Sequence, residues 1–172
     1  MKLNVLYESV KNHKNIMLLV HPHYIIEKYH AENPEYIKYL DLVLGKIQSK
    51  LSSGWIVIVS HMPLWGQEVL HKDKINVYNK FMKNIDSFKS NSNFYYVDDS
   101  KVFGVDTSKN KVGLCGDSKV IDLILNSENI TVEIGGGYKS SCVKMTIDTL
   151  GGEDFLKELN IELINNDLLF DY

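Results

Sequence analysis

Four short stretches of this 172-residue chain hold most of the side chains able to do chemistry. They are His21-Pro22-His23, Ser60-His61-Met62-Pro63, Asp98-Asp99-Ser100-Lys101 and Gly135-Gly136-Gly137-Tyr138-Lys139-Ser140-Ser141-Cys142. Between them they supply imidazoles that can move protons, carboxylates, a lysine that can balance charge, and a thiol. The last stretch is the most informative. Glycines allow unusual dihedrals and close backbone approach, and a helix start points unpaired N–H groups at a thiolate or an oxyanion. The spacing predicts a tight glycine turn and then a helix opening near Cys142, the setting a cysteine nucleophile requires. The competing reading is a small buried cysteine on the inner face of that helix, with Gly135–Gly137 as an ordinary strand-to-helix turn.

Elements of regular structure must bring these stretches together. Residues 15–20 (NIMLLV) and 55–59 (WIVIV) are short, apolar and rich in branched side chains, as suits strands covered on both faces. Between them, Asn33-Pro34 offers an N-cap followed by proline at the first helical position. Ile37, Leu40, Val43, Leu44, Ile47 and Leu51 then recur along one helical face, and Gly54 is a stop signal. The pattern repeats with Ile75, Tyr78, Met82, Ile85 and Phe88 on a second helix and FYYV (94–97) as a third strand. A polar loop runs from Asp98 to Gly116. Asp117 or Ser118 then caps a helix carrying Val120, Ile121, Ile124 and Leu125. ITVEI (130–134) and IELI (161–164) read as the fourth and fifth strands, while KLNVLY (2–7) suits either an edge strand or a short helix. Strands alternating with helices predict one α/β domain over residues 1–172, three-layered, with a mostly parallel sheet and helices on both faces. Ligands of such sheets bind at the carboxyl ends of the strands. All four chemical stretches leave strands at that end.

The segment EIGGGYKSSCVKMTIDTLGG resembles the cysteine signature of the isochorismatase-like cysteine hydrolases, which include nicotinamidases and N-carbamoyl amidohydrolases. Gly135, Cys142, Val143, Thr146 and Asp148 match its spacing. NIMLLVHPHYII resembles the family's first core strand, and WIVIVSHMP its second strand and following loop, so the resemblance covers most of residues 15–165. It implies an amide hydrolase in which Cys142 is the nucleophile, a base sits at the end of the first strand, and a lysine follows the third. Where the family carries an aspartate base, this sequence has His21; Lys101 stands nearest the lysine position. His21, or else His23, is the expected replacement base, since imidazole can take a proton from a neighbouring thiol. His23, Tyr138, Ser141 and Trp65 are expected to contact the substrate. The alternative is an inactive relative kept as a binding or assembly module, which the loss of the aspartate favours.

His21, His23 and His61 are read as loop histidines and not as a metal site, and no cofactor is expected. All 19 basic residues are lysine, set against 22 carboxylates for a net charge of −3. That balance excludes a general nucleic-acid binder, and the absence of arginine removes the planar fork that grips phosphate. No apolar run is long enough for a membrane span or a signal peptide, and two cysteines make no disulfide framework, so a cytoplasmic protein is expected. Its expected partners are a small amide and, at most, further copies of the same chain.

Overall fold

A computed structural model of the chain describes residues 14–23, 33–61, 72–98 and 124–171. The KLNVLY segment, the loop beyond Asp98 with Lys101 and Cys115, the Asp117 or Ser118 cap, and Trp65 lie outside the described residues.

Five strands form one parallel sheet: β1 (Asn15–Val20), β2 (Ile56–His61), β3 (Phe94–Asp98), β4 (Ile130–Gly137) and β5 (Ile161–Phe170). Their spatial order is β3-β2-β1-β4-β5. Helix α1 (Pro34–Ser52) joins β1 to β2, and α2 (Lys72–Ser87) runs between β2 and β3. Beyond β4 come a π-helical turn (Lys139–Val143), α3 (Lys144–Thr149) and α4 (Gly152–Glu158). The fold is thus the three-layer α/β arrangement that the sequence predicts. Among the described residues, no helix is long and apolar enough to cross a membrane.

Alternating strand residues divide the core in two. Ile16, Leu18 and Val20 of β1 join Val132 and Ile134 of β4 beneath Val143, Leu150 and Leu156. Met17 and Leu19 join Val57 and Val59 beneath the α1 and α2 layer. Period-two alternation with both sets apolar is what a sheet covered on both faces demands.

Helix α1 keeps the boundaries read from its sequence. Asn33 Oδ1 accepts the Glu35 amide at 2.9 Å, and Pro34 follows at the first helical position. At the other end Gly54 has φ +75°; its amide donates to the Leu51 carbonyl and that of Trp55 to the Lys50 carbonyl. This is the glycine-terminated cap that satisfies otherwise orphaned carbonyls. The buried face is rotated from expectation: Tyr36 is buried with Leu40, Val43, Ile47 and Leu51, while Ile37 is 44% exposed.

Two further expectations are corrected. Gly135–Gly137 do not form a turn but end β4, paired with β1 and β5, and glycine is required there because β-carbons would strike neighbouring groups. One on Gly135 would lie 2.1 Å from Asn166 Oδ1, one on Gly136 2.0 Å from the Val20 carbonyl oxygen, and one on Gly137 2.2 Å from the Phe170 ring. Nor does the fifth strand stop at Ile164. Between Ile134↔Asn165 and Gly136↔Leu169, β4 advances two residues while β5 advances four, and the excess is a bulge. Asn166 Oδ1 accepts the Leu168 amide within it, and the Leu168 carbonyl accepts the Tyr39 hydroxyl at 3.0 Å.

A buried charge ties α1 to β4. Glu133, 5% exposed, accepts a hydrogen bond from Lys50, whose ammonium also lies 3.4 Å from the centroid of the Trp55 ring. Lys46 stands 3.5 Å from the other carboxylate oxygen and 3.0 Å from Asp167. Lys50→Met keeps the aliphatic stem and strands the carboxylate. The variant should lose about 2–3 kcal/mol in urea unfolding, less than a fully buried broken pair because Lys46 still faces Glu133 and both lysines retain some solvent. Adding Glu133→Leu should recover most of the loss. A double variant no more stable than Lys50→Met would mean that the ion pair is not what holds α1 here.

Candidate functional site

The strand order reverses beside β1: β2 and β3 extend to one side, β4 and β5 to the other. In doubly wound sheets the crevice at such a reversal, at the carboxyl ends of the strands, is where ligands bind. Here that place lies between the ends of β1 and β4, with Val20 alongside Gly136. His21 leaves the first of these ends. Six residues after Gly136, Cys142 follows the second.

His21 is fully buried, with φ +42°, and its amide donates to the Ser60 carbonyl at 3.1 Å. A non-glycine residue in the left-handed region carries a cost of roughly 1–3 kcal/mol that the surrounding structure must offset. The backbone thereby turns at the end of β1. His23 is 7% exposed; its ring centroid lies 6.2 Å from that of His21 and 5.8 Å from that of Tyr78, nearly perpendicular to the tyrosine. Since Tyr78 belongs to α2, the histidine pair extends toward the α1 and α2 layer.

Cys142 lies within the π-helical turn and is partly buried. It packs against the core beneath α3 and α4, and its carbonyl accepts the Thr146 hydroxyl at 2.8 Å. The turn starts from Tyr138, whose carbonyl accepts the amides of Ser141 and Val143, and the Gly137–Tyr138 peptide is cis. Tyr138 is buried, with its ring edge-on to Phe170 at 5.5 Å; Phe170 in turn meets Tyr39 at 5.2 Å. Ser141 faces solvent. Its neighbour Ser140 donates from its amide and hydroxyl to Asp171 Oδ1, at 2.9 and 2.5 Å.

Of the expected site residues, the structure puts His21, His23, Tyr138 and Cys142 at or just beyond the ends of adjacent strands. It leaves Ser141 outward, and Lys101 and Trp65 fall outside the described residues. Backbone register adds His61 opposite Asp98 at the ends of β2 and β3, with Val20 opposite Ser60. Phe170 enters the neighbourhood, edge-on to Tyr138, without having been singled out by sequence. Phe170 could have been found from the apolar return Leu168-Leu169-Phe170 after Asn165-Asn166-Asp167. Among the described residues, no group of three or more His, Cys, Asp and Glu side chains could hold a metal ion.

A cleft of about 430 Å³ runs along the outer flank of the cysteine turn, lined by Lys139, Ser140, Lys144, Asp148, Asn165 and Asp171 among others. Within it Lys144 forms an ion pair with Asp148, and the Ser140 hydroxyl donates to Asp171. Neither Cys142 nor His21 lines it, so it is separate from the crevice between β1 and β4. The chain matches no protein-family model, no curated protein and no solved structure.

Proposed function

We propose that this chain is a divergent isochorismatase-like cysteine hydrolase, acting on a small amide at the reversal of strand order. One observation carries the reading: the turn holding Cys142 follows β4 directly, and β4 is the immediate neighbour of β1, whose end carries the buried His21. In this scheme His21 takes the Cys142 thiol proton and the thiolate attacks the amide carbonyl carbon. The C–N bond then breaks, the leaving nitrogen receives the proton from His21, and a thioester remains. Water, deprotonated by His21, hydrolyses the thioester and restores the thiol. His23 and Tyr138 border the substrate, and Lys101 balances charge.

A second reading, a binding module without turnover, is favoured by one specific feature. The histidine pair packs toward the α1 and α2 layer, whereas Cys142 packs onto the core of the opposite layer. Side chains leaning to different layers suit a walled crevice as well as they suit a reacting pair.

Thiol reactivity tests the hydrolase reading. Cys142 should be alkylated by iodoacetamide well ahead of Cys115, as mass spectrometry of the digested protein would record, because in this scheme a neighbouring base favours its thiolate. Benzamide should slow that labelling. Equal or reversed rates at the two cysteines would count against a poised nucleophile.

A further inference from the structure

We propose that the Tyr36 hydroxyl is the hydrogen-bond donor for a carbonyl oxygen of a small planar ligand held at the crevice between β1 and β4. The inference rests on the reading of that crevice as the ligand site.

Tyr36 is completely buried, and its hydroxyl has no hydrogen-bond partner among the described residues. A phenylalanine would fill the same space, so the fold gains nothing from the oxygen and bears the cost of desolvating it. An unsatisfied buried polar group needs an explanation, and a bound ligand is one where the group stands beside a binding site.

Its position supplies the place. Lys50 of α1 is level with Glu133, four residues short of the end of β4. Tyr36 lies fourteen residues further toward the start of α1, roughly 21 Å along the axis at about 1.5 Å per residue. Four to six strand residues span only about 13–20 Å, so Tyr36 stands at the carboxyl edge of the sheet. Helical side chains lean toward the helix N-terminus, which carries the ring further the same way. Tyr36 packs in one cluster with Tyr78, the ring partner of His23, and with Leu168, whose carbonyl binds Tyr39.

The chemistry supplies the class. Burial holds the Tyr36 phenol far above its ordinary range, so it remains a neutral donor at any physiological pH. A neutral O–H suits a carbonyl oxygen, and the rings of Tyr78 and Phe170 in the same cluster, with His23 against Tyr78, suit a flat ligand.

The test compares Tyr36→Phe with Tyr95→Phe in the full chain. Tyr95 is the matched control, since its hydroxyl is equally buried and unpartnered but lies on β3 in the opposite core. Both variants should hold or raise Tm, by up to about 2–4 °C, because each sheds an unsatisfied group. Benzamide and acetamide serve as probes in titration calorimetry. Tyr36→Phe should weaken benzamide binding about tenfold, and Tyr95→Phe should leave it unchanged. Unaltered binding by Tyr36→Phe, or a lowered Tm, would overturn the role of the hydroxyl while leaving the crevice as the site. If the wild type binds neither probe, the site and the hydroxyl's role fall together. If it binds benzamide in a Tyr36-dependent way but never hydrolyses it, the inference stands and hydrolysis alone is rejected.

Discussion

If the proposed cysteine mechanism operates, Cys142→Ala should reduce amide turnover to background, a loss of about 10³-fold or more, because it removes the covalent nucleophile. The wild type itself should be slow. A general base held out of reach of its proton forfeits up to about 10²–10⁴-fold, and a substrate misplaced by an ångström about another 10²-fold. His21→Asp places a carboxylate at the end of β1 and should change the rate, in contrast to the silence of Cys142→Ala. The measurement is hydrolysis by all three proteins of one panel of small aryl and alkyl amides, with released amine as the readout. Activity that survives Cys142→Ala unchanged would remove the cysteine from the mechanism. Three inert proteins would leave the binding module as the better description.

The parts of this fold legible in the sequence are those set by local chemistry. The Asn33-Pro34 start and Gly54 stop of α1 are satisfied within a few residues of themselves, so no knowledge of the rest of the chain is needed to read them. The apolar runs at β1 and β2 are legible for the same reason. Tyr36 was missed because an apolar arc does not say which of its edges meets the sheet. Ile37 and Tyr36 compete for that edge, and it is Tyr36 that joins the core cluster of the α1 and α2 layer. The β5 bulge was missed because Asn165-Asn166-Asp167 has the composition of a strand end. Only the fit of Asn166 over Gly135 explains polar residues inside a paired strand. The site was legible in its pieces and not in its assembly. That His21 and Cys142 leave neighbouring strands follows from β4 lying beside β1, a long-range fact. The layer toward which each side chain leans depends on packing that periodicity cannot report.

Gly136→Ala should be the most destabilising single-methyl change in the described residues, costing about 4 kcal/mol or more, in the tail of point-substitution effects. Two independent penalties combine. Gly136 has φ +101°, a region that alanine enters only under strain. Its β-carbon would also lie 2.0 Å from the Val20 carbonyl oxygen, with the Val20 carbonyl carbon at 2.8 Å. At Gly135 and Gly137 the obstacles are the Asn166 side chain and the Phe170 ring, which can turn aside. At Gly136 the obstacle is main chain in the centre of the sheet, so relief means parting β1 from β4. A domain stable by about 5–15 kcal/mol would lose a large share of its stability. Because Val20 precedes His21 and Gly136 leads into the cysteine turn, the same displacement should separate the two proposed reacting groups. Gly45→Ala is the matched control: Gly45 is exposed in the middle of α1, and a β-carbon there meets nothing within 4 Å. It should stabilise the protein by about 0.5–1 kcal/mol. Urea unfolding of both variants against the wild type decides the matter. A Gly136→Ala protein within about 1 kcal/mol of the wild type, below even a typical substitution cost, would mean that β1 and β4 do not approach as closely as the structure shows.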